Sequence, residues 1–355
     1  MTLTQEAKAA GDGSGDLVQR PRQTVRERFR RLTRVQEMGL VGVLAALVVY
    51  FSIAAPGFDT GENIKTIFVY LSVLGVLSVG ETLVILGGGF DLSNGAVLAF
   101  ASSIGATMLA SGGNQVVAAV ATLAVALGIG FVNGILVAVL RVNSFIATLG
   151  TYLIFSGAAY VYTNSQTVNF SLNEWVVFGR GSLWVIPTPV VILAVLSVIV
   201  ALVLRYTVFG RSLFAMGGNA QAARLAGIPV KWYLVVVFAL SGLSAGVGAL
   251  IQSSLGAAGS ASYTGQLNLQ SITAVILGGA ALTGGEGGVV GTLFGVVITQ
   301  TILDGLTLMN VSEFYQDVVT GIVLLVAVML ASAREALSGR RRRWWSRSAS
   351  AVART

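Results

Sequence analysis

The sequence predicts an all-α polytopic membrane protein of about ten transmembrane helices interrupted by glycine-rich breaks. Three observations carry that prediction. Hydrophobic residues make up 55 % of the 355-residue chain and charged residues only 10 %, whereas a soluble domain carries about a quarter of its residues as charges. Apolar runs close to the ~20 residues that cross a hydrocarbon core recur from end to end. The 44 glycines against 5 prolines fit packed transmembrane helices, in which small residues let backbones approach closely.

Taken in order, the runs lie near 38–56, 66–88, 94–111, 116–140, 145–163, 185–204, 232–255, 268–282, 288–308 and 314–333. Gly, Ser, Asn and Thr interrupt the third, fifth and eighth, which leaves re-entrant or half-length helices open there. Non-helical backbone at such depth is tolerated only inside protein or beside water. The chain therefore divides into a basic N-terminal tail at 1–37, a transmembrane domain at 38–333 with a long polar loop at 205–231, and a basic C-terminal tail at 334–355.

Orientation follows from Lys and Arg, which are held on the cytoplasmic side. The segment to Arg34 carries eight of the 22 basic residues, the segment from Arg334 seven, and the 205–231 loop four. With ten spans Arg141 joins them, so 20 face the cytoplasm and only Lys65 and Arg180 face out. Both termini are expected in the cytoplasm, and the nearly base-free segments 164–183 and 256–268 outside. The run RPRQTVRERFRRLTR, and Arg340 to Arg343 followed by Trp344 and Trp345, read as contacts with membrane lipid headgroups rather than as nucleic-acid arms. Neither tail resembles a cleavable signal peptide.

The composition also excludes most enzyme classes. With no Cys and no His the chain has no disulfide, no thiolate nucleophile, and neither the commonest general base nor the commonest metal ligand. No catalytic residue and no metal site is expected. No G-x-x-x-x-G-K-[ST] occurs, so the chain is not itself a P-loop ATPase.

Charged side chains at membrane depth cost at least about 2.5 to 3.5 kcal/mol and are candidate functional groups. Here they are Glu81, Asp91 and Asp304, with Glu313 and Asp317 nearer an outer end. Asp91 lies in GGGFDLSNG, where the glycines break a helix and bare polar backbone beside the carboxylate. That arrangement, with Ser93 and Asn94, suits passing a polyhydroxylated solute, and it equally suits capping a half-helix. Glu81 and Asp304 also fit buried groups that are protonated or hydrogen-bonded to Ser, Thr and backbone. A second break, ILGGAALTGGEGGVVG from Ile276, echoes ILGGGFDLSNG from Ile85. Matching breaks point to an internal repeat with a site between the halves. The stripe Gly287, Gly291 and Gly295 needs only close helix packing.

The loop between the apolar runs reads FGRSLFAMGGNAQAARLAGIPVK from Phe209. Gly217-Gly218-Asn219 reads as a turn ending in a helix N-cap, residues 220–226 as a two-turn helix, and Gly227 as its stop. Flanked by Arg211, Arg224 and Lys231, such a helix can rest on headgroups. The paired glycines and a small Ala face suit insertion into a partner's groove better.

Four blocks in order carry a resemblance: TLVILGGGFDLSNG at 82–95, VNSFIATLGT at 142–151, FGRSLFAMGGNAQAARLAGI at 209–228 and AVILGGAALTGGEGGVVGTLFG at 274–295. From about Leu40 to Ala331 the chain resembles the permease subunits of bacterial ABC importers for monosaccharides, the ribose, xylose and galactose permease family. Where that family usually reads GGIDLSVG and VPPFIATLGT, this chain has Phe90 and Asn94, and Asn143 with Ser144. Those departures lie near the expected pathway and bear on the solute rather than on the family.

The resemblance implies a type II ABC importer-like fold in the bacterial inner membrane that moves a monosaccharide or related polyol by alternating access. It implies a cytoplasmic ABC ATPase partner that holds ATP and Mg, a second permease copy or paralogue, and a periplasmic or lipid-anchored sugar-binding protein. No cofactor belongs to this chain, and no nucleic acid. Arg211, Gly217, Gly218, Asn219, Ala222, Ala223, Arg224 and Gly227 match the family's ATPase-docking region. Glu81, Asp91, Ser93, Asn94, Asn143, Thr148 and Asp304 are the translocation-path candidates. The competing class, a stand-alone proton-coupled sugar transporter using Glu81, Asp91 and Asp304, leaves the 209–228 loop unexplained.

Overall fold

The computed structural model describes residues 25–171 and 174–352, with side chains over 39–171 and 175–333. The readings of the basic tails at 1–37 and 334–355 thus fall outside the described residues, wholly or in their side chains. The chain divides at Gly39 into two units, Met1–Gly39 and Leu40–Thr355. The described part of the first is helical from Val25. The second holds all the other described helices and strands.

The helices are α1 (Val25–Ala54), α2 (Gly61–Leu86), α3 (Asn94–Ala110), α4 (Gln115–Ala138), α5 (Ser144–Tyr162), α6 (Val177–Arg180), α7 (Thr188–Tyr206), α8 (Val208–Gly218), α9 (Ala220–Leu225), α10 (Val230–Gly256), α11 (Leu267–Leu277), α12 (Val289–Leu308) and α13 (Glu313–Val352). Their starts are chemically marked. Thr60, Asn114, Asn143, Thr207 and Asn219 each accept a hydrogen bond from a first-turn backbone N–H, which satisfies a donor that the helix itself cannot.

A helix stands at each of the ten positions expected from the apolar runs. Seven have the length and apolarity to cross a membrane: α2, α4, α5, α7, α10, α12 and the Glu313–Ala333 part of α13. The Gly39–Ala54 part of α1 and α3 are apolar but shorter. The eighth run takes the half-length alternative left open for it, and its end at 282 is corrected. Its helix, α11, stops at Leu277 after 11 residues, about 16 Å against a hydrocarbon core of about 30 Å. Gly278 and Gly279 end it, the latter at φ +94°, a backbone conformation that favours glycine.

Among the described residues the fold is not purely helical. Strands β1 (Val168–Asn169), β2 (Ser182–Leu183), β3 (Ile186–Pro187) and β4 (Ala258–Gly259) form two antiparallel ladders, β1 with β4 and β2 with β3. The first pairs Val168 with Gly259, and so joins the two base-poor segments that the charge distribution assigns to one side of the membrane.

α2 is the central post. Every residue from Leu71 to Leu86 is buried, as an all-round apolar sequence requires, and α7, α10, α11 and α12 pack around it. Glycines set the closest approaches. A Cβ at Gly130 of α4 or Gly242 of α10 would stand 2.9 Å from the other residue's Cα, so these helices cross backbone to backbone. A Cβ at Gly80 would stand 2.8 Å from that of Ser244 on α10. The helices at the rim, α5 and the 313–333 part of α13, expose most of their apolar side chains.

Candidate functional site

The break between α2 and α3 is built around Asp91. Its Oδ1 accepts from the Ser93 N–H at 2.9 Å and the Ser93 hydroxyl at 2.6 Å, and its Oδ2 accepts from the Ser241 hydroxyl of α10 at 2.7 Å. The Asp91 N–H donates to Glu81 Oε1 at 3.1 Å. Asn133 of α4 donates through Nδ2 to Ser93 Oγ at 2.8 Å. Asn94 Nδ2 donates to Ser271 Oγ of α11 at 3.0 Å, and Asn268 Nδ2 to the Leu92 carbonyl at 3.1 Å. Glu81, Asp91, Ser93, Asn94 and Asn133 are all at most 1 % exposed.

The same break is held from α5. Ser144 Oγ accepts from the Phe90 N–H, and Thr148 donates to the Phe90 carbonyl, both at 3.2 Å. The polar backbone that the glycines bare is thus taken up by side chains of the surrounding helices, as burial at membrane depth demands. Asp91 acts at the start of α3 and as the hub of a network reaching α10 and, through Ser93, α4. Ser93 occupies the N-cap of α3 without a side-chain cap bond, and Asp91 bonds Ser93 rather than a first-turn N–H.

Two path candidates stand apart from this cluster. Asn143 is exposed and caps α5, accepting from the Phe145 N–H at 3.0 Å. Asp304 is half-buried on α12 and accepts from Asn63 Nδ2 at 2.8 Å. Asn63 is 18 positions before Glu81 on the same helix, about 27 Å along its axis. Ser241, Asn133, Ser271 and Asn268 escaped the sequence reading, whereas Ser144 entered it only as a departure beside Asn143. The signal at Asn133 was a lone polar residue in an apolar run, GIGFVNGILVA, whereas Asn268 and Ser271 sit among other polar residues in GQLNLQSIT.

The loop at 205–231 forms two helices. Asn219 caps α9 as expected, its Oδ1 accepting from the Ala222 N–H at 2.9 Å, and Gly227 stands just past the helix end at φ +84°. The glycine pair is corrected: Gly217 and Gly218 are the last turn of α8, not a turn before a cap. Their role is contact. A Cβ on Gly217 would run into the Leu86 carbonyl and Gly285. Leu86 ends α2, and its carbonyl accepts from the Gly285 N–H at 3.0 Å.

The last turn of α8 therefore touches both glycine-rich breaks at once. A Cβ on Gly284 would stand 2.8 Å from the Gly88 Cα, and one on Gly285 2.8 Å from the Gly218 Cα. Beneath α8, the buried side chains of Leu213 and Met216 lie 3.4 Å from where a Cβ on Gly87 would be. Ala223 is buried, whereas Arg211, Asn219, Ala222, Arg224, Leu225 and Gly227 are exposed. Arg224 and Leu225 thus stand exposed beside the small-residue end of α8.

Comparison with known proteins agrees with this architecture. A family model described as "Branched-chain amino acid transport system / permease component" matches residues 63–328. The chain is 38 % identical over 317 residues to the ribose import permease protein of Escherichia coli (strain K12), covering 87 % of this chain and 98 % of that protein. It is 39 % identical over 317 residues to the ribose import permease protein of Bacillus subtilis (strain 168), covering 87 % and 96 %. An L-arabinose ABC transporter permease protein of Azospirillum brasilense is 33 % identical over 295 residues, 83 % of this chain and 87 % of that protein. With most of its length matched, and its membrane-length helices in the same stretch, the chain belongs to the branched-chain amino acid transport system permease component family.

Proposed function

We propose that this chain is the transmembrane permease subunit of an ABC importer and carries a monosaccharide, most closely a pentose, into the cell. One observation carries the reading: relatives named for ribose import match along 90 to 98 % of their own length. A relative named as an L-arabinose ABC transporter permease points to the same class of solute. The chain lies in the bacterial cytoplasmic membrane with both termini inside. A separate cytoplasmic ATPase hydrolyses ATP with Mg, a second permease copy or paralogue completes the pore, and an external sugar-binding protein delivers the solute. Hydrolysis moves the pair only so far as the ATPase contacts the inward-open and outward-open forms differently.

The exposed tip formed by α9 and the end of α8 is the ATPase contact, with Arg211, Gly217, Gly218, Asn219, Ala222, Ala223, Arg224 and Gly227 at or behind it. The Asp91 node, with Ser93, Asn94 and Thr148, borders the solute path. Selectivity delegated to the delivering protein is consistent with a path that needs no tight sugar site of its own.

The test is a mild-detergent pull-down of the tagged chain from its native membrane, with mass spectrometry and an ATPase assay on the eluate. A P-loop ATPase is expected to copurify with wild type and to be lost from Arg224→Glu, whose insertion and folding stay normal. A chain that elutes alone and still admits labelled sugar to liposomes without ATP would overturn the proposal.

A further inference from the structure

We propose that Glu81 and Asp91 form, with Asn133 and Asn94, a buried site for one monovalent cation, either a proton or an alkali-metal ion. The site lies at the α2–α3 break and needs only the fold described above, whatever solute the chain carries.

Charge balance is the first ground. Glu81 and Asp91 are the only fully buried ionisable side chains among the described residues, linked through the Asp91 N–H. Every described Lys and Arg side chain is exposed. Two buried carboxyl groups with no basic partner are costly unless positive charge reaches them.

An excess of acceptors is the second ground, and it is independent of charge. Glu81 Oε2, Asn133 Oδ1 and Asn94 Oδ1 are buried and receive no hydrogen bond from any described group. The donors around them are committed elsewhere: the hydroxyls of Ser93 and Ser241 to Asp91, and Nδ2 of Asn133 and Asn94 to Ser93 and Ser271. Asn133 joins the Asp91 network through Ser93, Glu81 joins it through the Asp91 N–H, and Asn94 is the residue next to Ser93; unmet buried acceptors of this number call for a cation or a proton donor.

Other titratable groups do not complete the node. Asp304 of α12 bonds Asn63 in the first turn of α2. Lys231 at the start of α10, Arg205 of α7 and Arg211 of α8 are exposed. The side chains bonded to Asp91 are Ser93 and Ser241 of α10, with Asn133 of α4 behind Ser93 and Thr82 tied to Thr292 of α12 at 2.8 Å. Oxygen donors with no thiolate or imidazole suit a proton or a hard ion rather than a soft transition metal, and with only two carboxyl groups among the described residues the node lacks the third acidic ligand of a multivalent-ion cluster.

The experiment measures the thermal midpoint of the purified full-length chain in detergent. It compares sodium, potassium and choline chloride at equal ionic strength near pH 8, and then each salt from about pH 5 to about pH 8. An alkali ion as occupant raises the midpoint by several degrees in sodium or potassium over choline, since a ligand of the folded state stabilises it. A proton as occupant lowers the midpoint by several degrees as pH rises, equally in all salts, because the folded state then holds a proton that the unfolded chain releases.

Either dependence is expected to vanish in Glu81→Gln, whose amide keeps the bond to the Asp91 N–H and supplies a neutral donor in place of charge. Asp91→Asn, which removes the second carboxylate, serves the same comparison if Glu81→Gln does not accumulate. Exposed Glu62→Gln is the control that keeps the wild-type response. A wild-type midpoint indifferent to both salt and pH, or a response that persists in the node variants, would overturn the site.

Discussion

The two glycine-rich breaks leave their helices in the same way and are then filled differently. After α2, Gly88 donates to the Ile85 carbonyl and Gly89 to the Val84 carbonyl; after α11, Gly279 donates to the Ile276 carbonyl and Ala280 to the Val275 carbonyl. Gly88 and Gly279 take φ +85° and +94°. Beyond this shared exit the first break buries the Asp91 carboxyl group, its N–H bonded to Glu81 of α2. The second carries Glu286 exposed, and its Gly284 and Gly285 press on Gly88 and Gly218. Local sequence sets how a helix ends, and what packs around the end decides whether it becomes a polar node or a contact surface.

The largest difference between the breaks is expected at their acids. Asp91→Ala strands the Ser93 N–H and the hydroxyls of Ser93 and Ser241, so stability falls on the order of 3 kcal/mol and solute uptake falls with it. A variant with wild-type yield, thermal midpoint and uptake would remove Asp91 from both roles. The shared exit predicts equality. Gly88→Ala and Gly279→Ala each force a side chain into a left-handed conformation, at about 1 to 2 kcal/mol. Thermal midpoints that differ widely between these two would break the likeness of the exits. The smallest effect is expected at Glu286→Ala, which leaves the backbone bond from Ala281 to the Glu286 carbonyl intact and stays within about 0.5 kcal/mol of wild type. A larger loss would give the second break a buried network of its own.

Legibility in the sequence tracks the range of each interaction. Asn219 and Gly227 were legible because a cap and a stop act over one turn of chain. The GGGFDLSNG break was legible because three glycines cannot continue a helix quietly. Gly217 and Gly218 misled, since the same pair that signals a turn also permits close approach inside a helix, and only the Leu86 carbonyl decides between them. The eighth run was drawn to 282, with a half-length helix left open, because Ala280, Ala281 and Leu282 extend its apolar count beyond the helix end at Leu277. The Asp91 partners were invisible for a related reason. Ser241, 150 positions away, and Asn133 are single polar residues whose direction is fixed by how α10 and α4 cross. Gly130 and Gly242 make that crossing possible, but periodicity alone does not reveal their pairing.

The glycine contact beneath α8 has a mechanical meaning. Side chains act as cushions, since a displaced neighbour can be absorbed by a change of rotamer before the main chain feels it. Where Gly217 meets the Leu86 carbonyl and Gly285, no rotamer lies between the pieces. A push on this joint has little slack to take up, so movement of α8 reaches the end of α2 and the second break together, as in a crank whose bearing has no play.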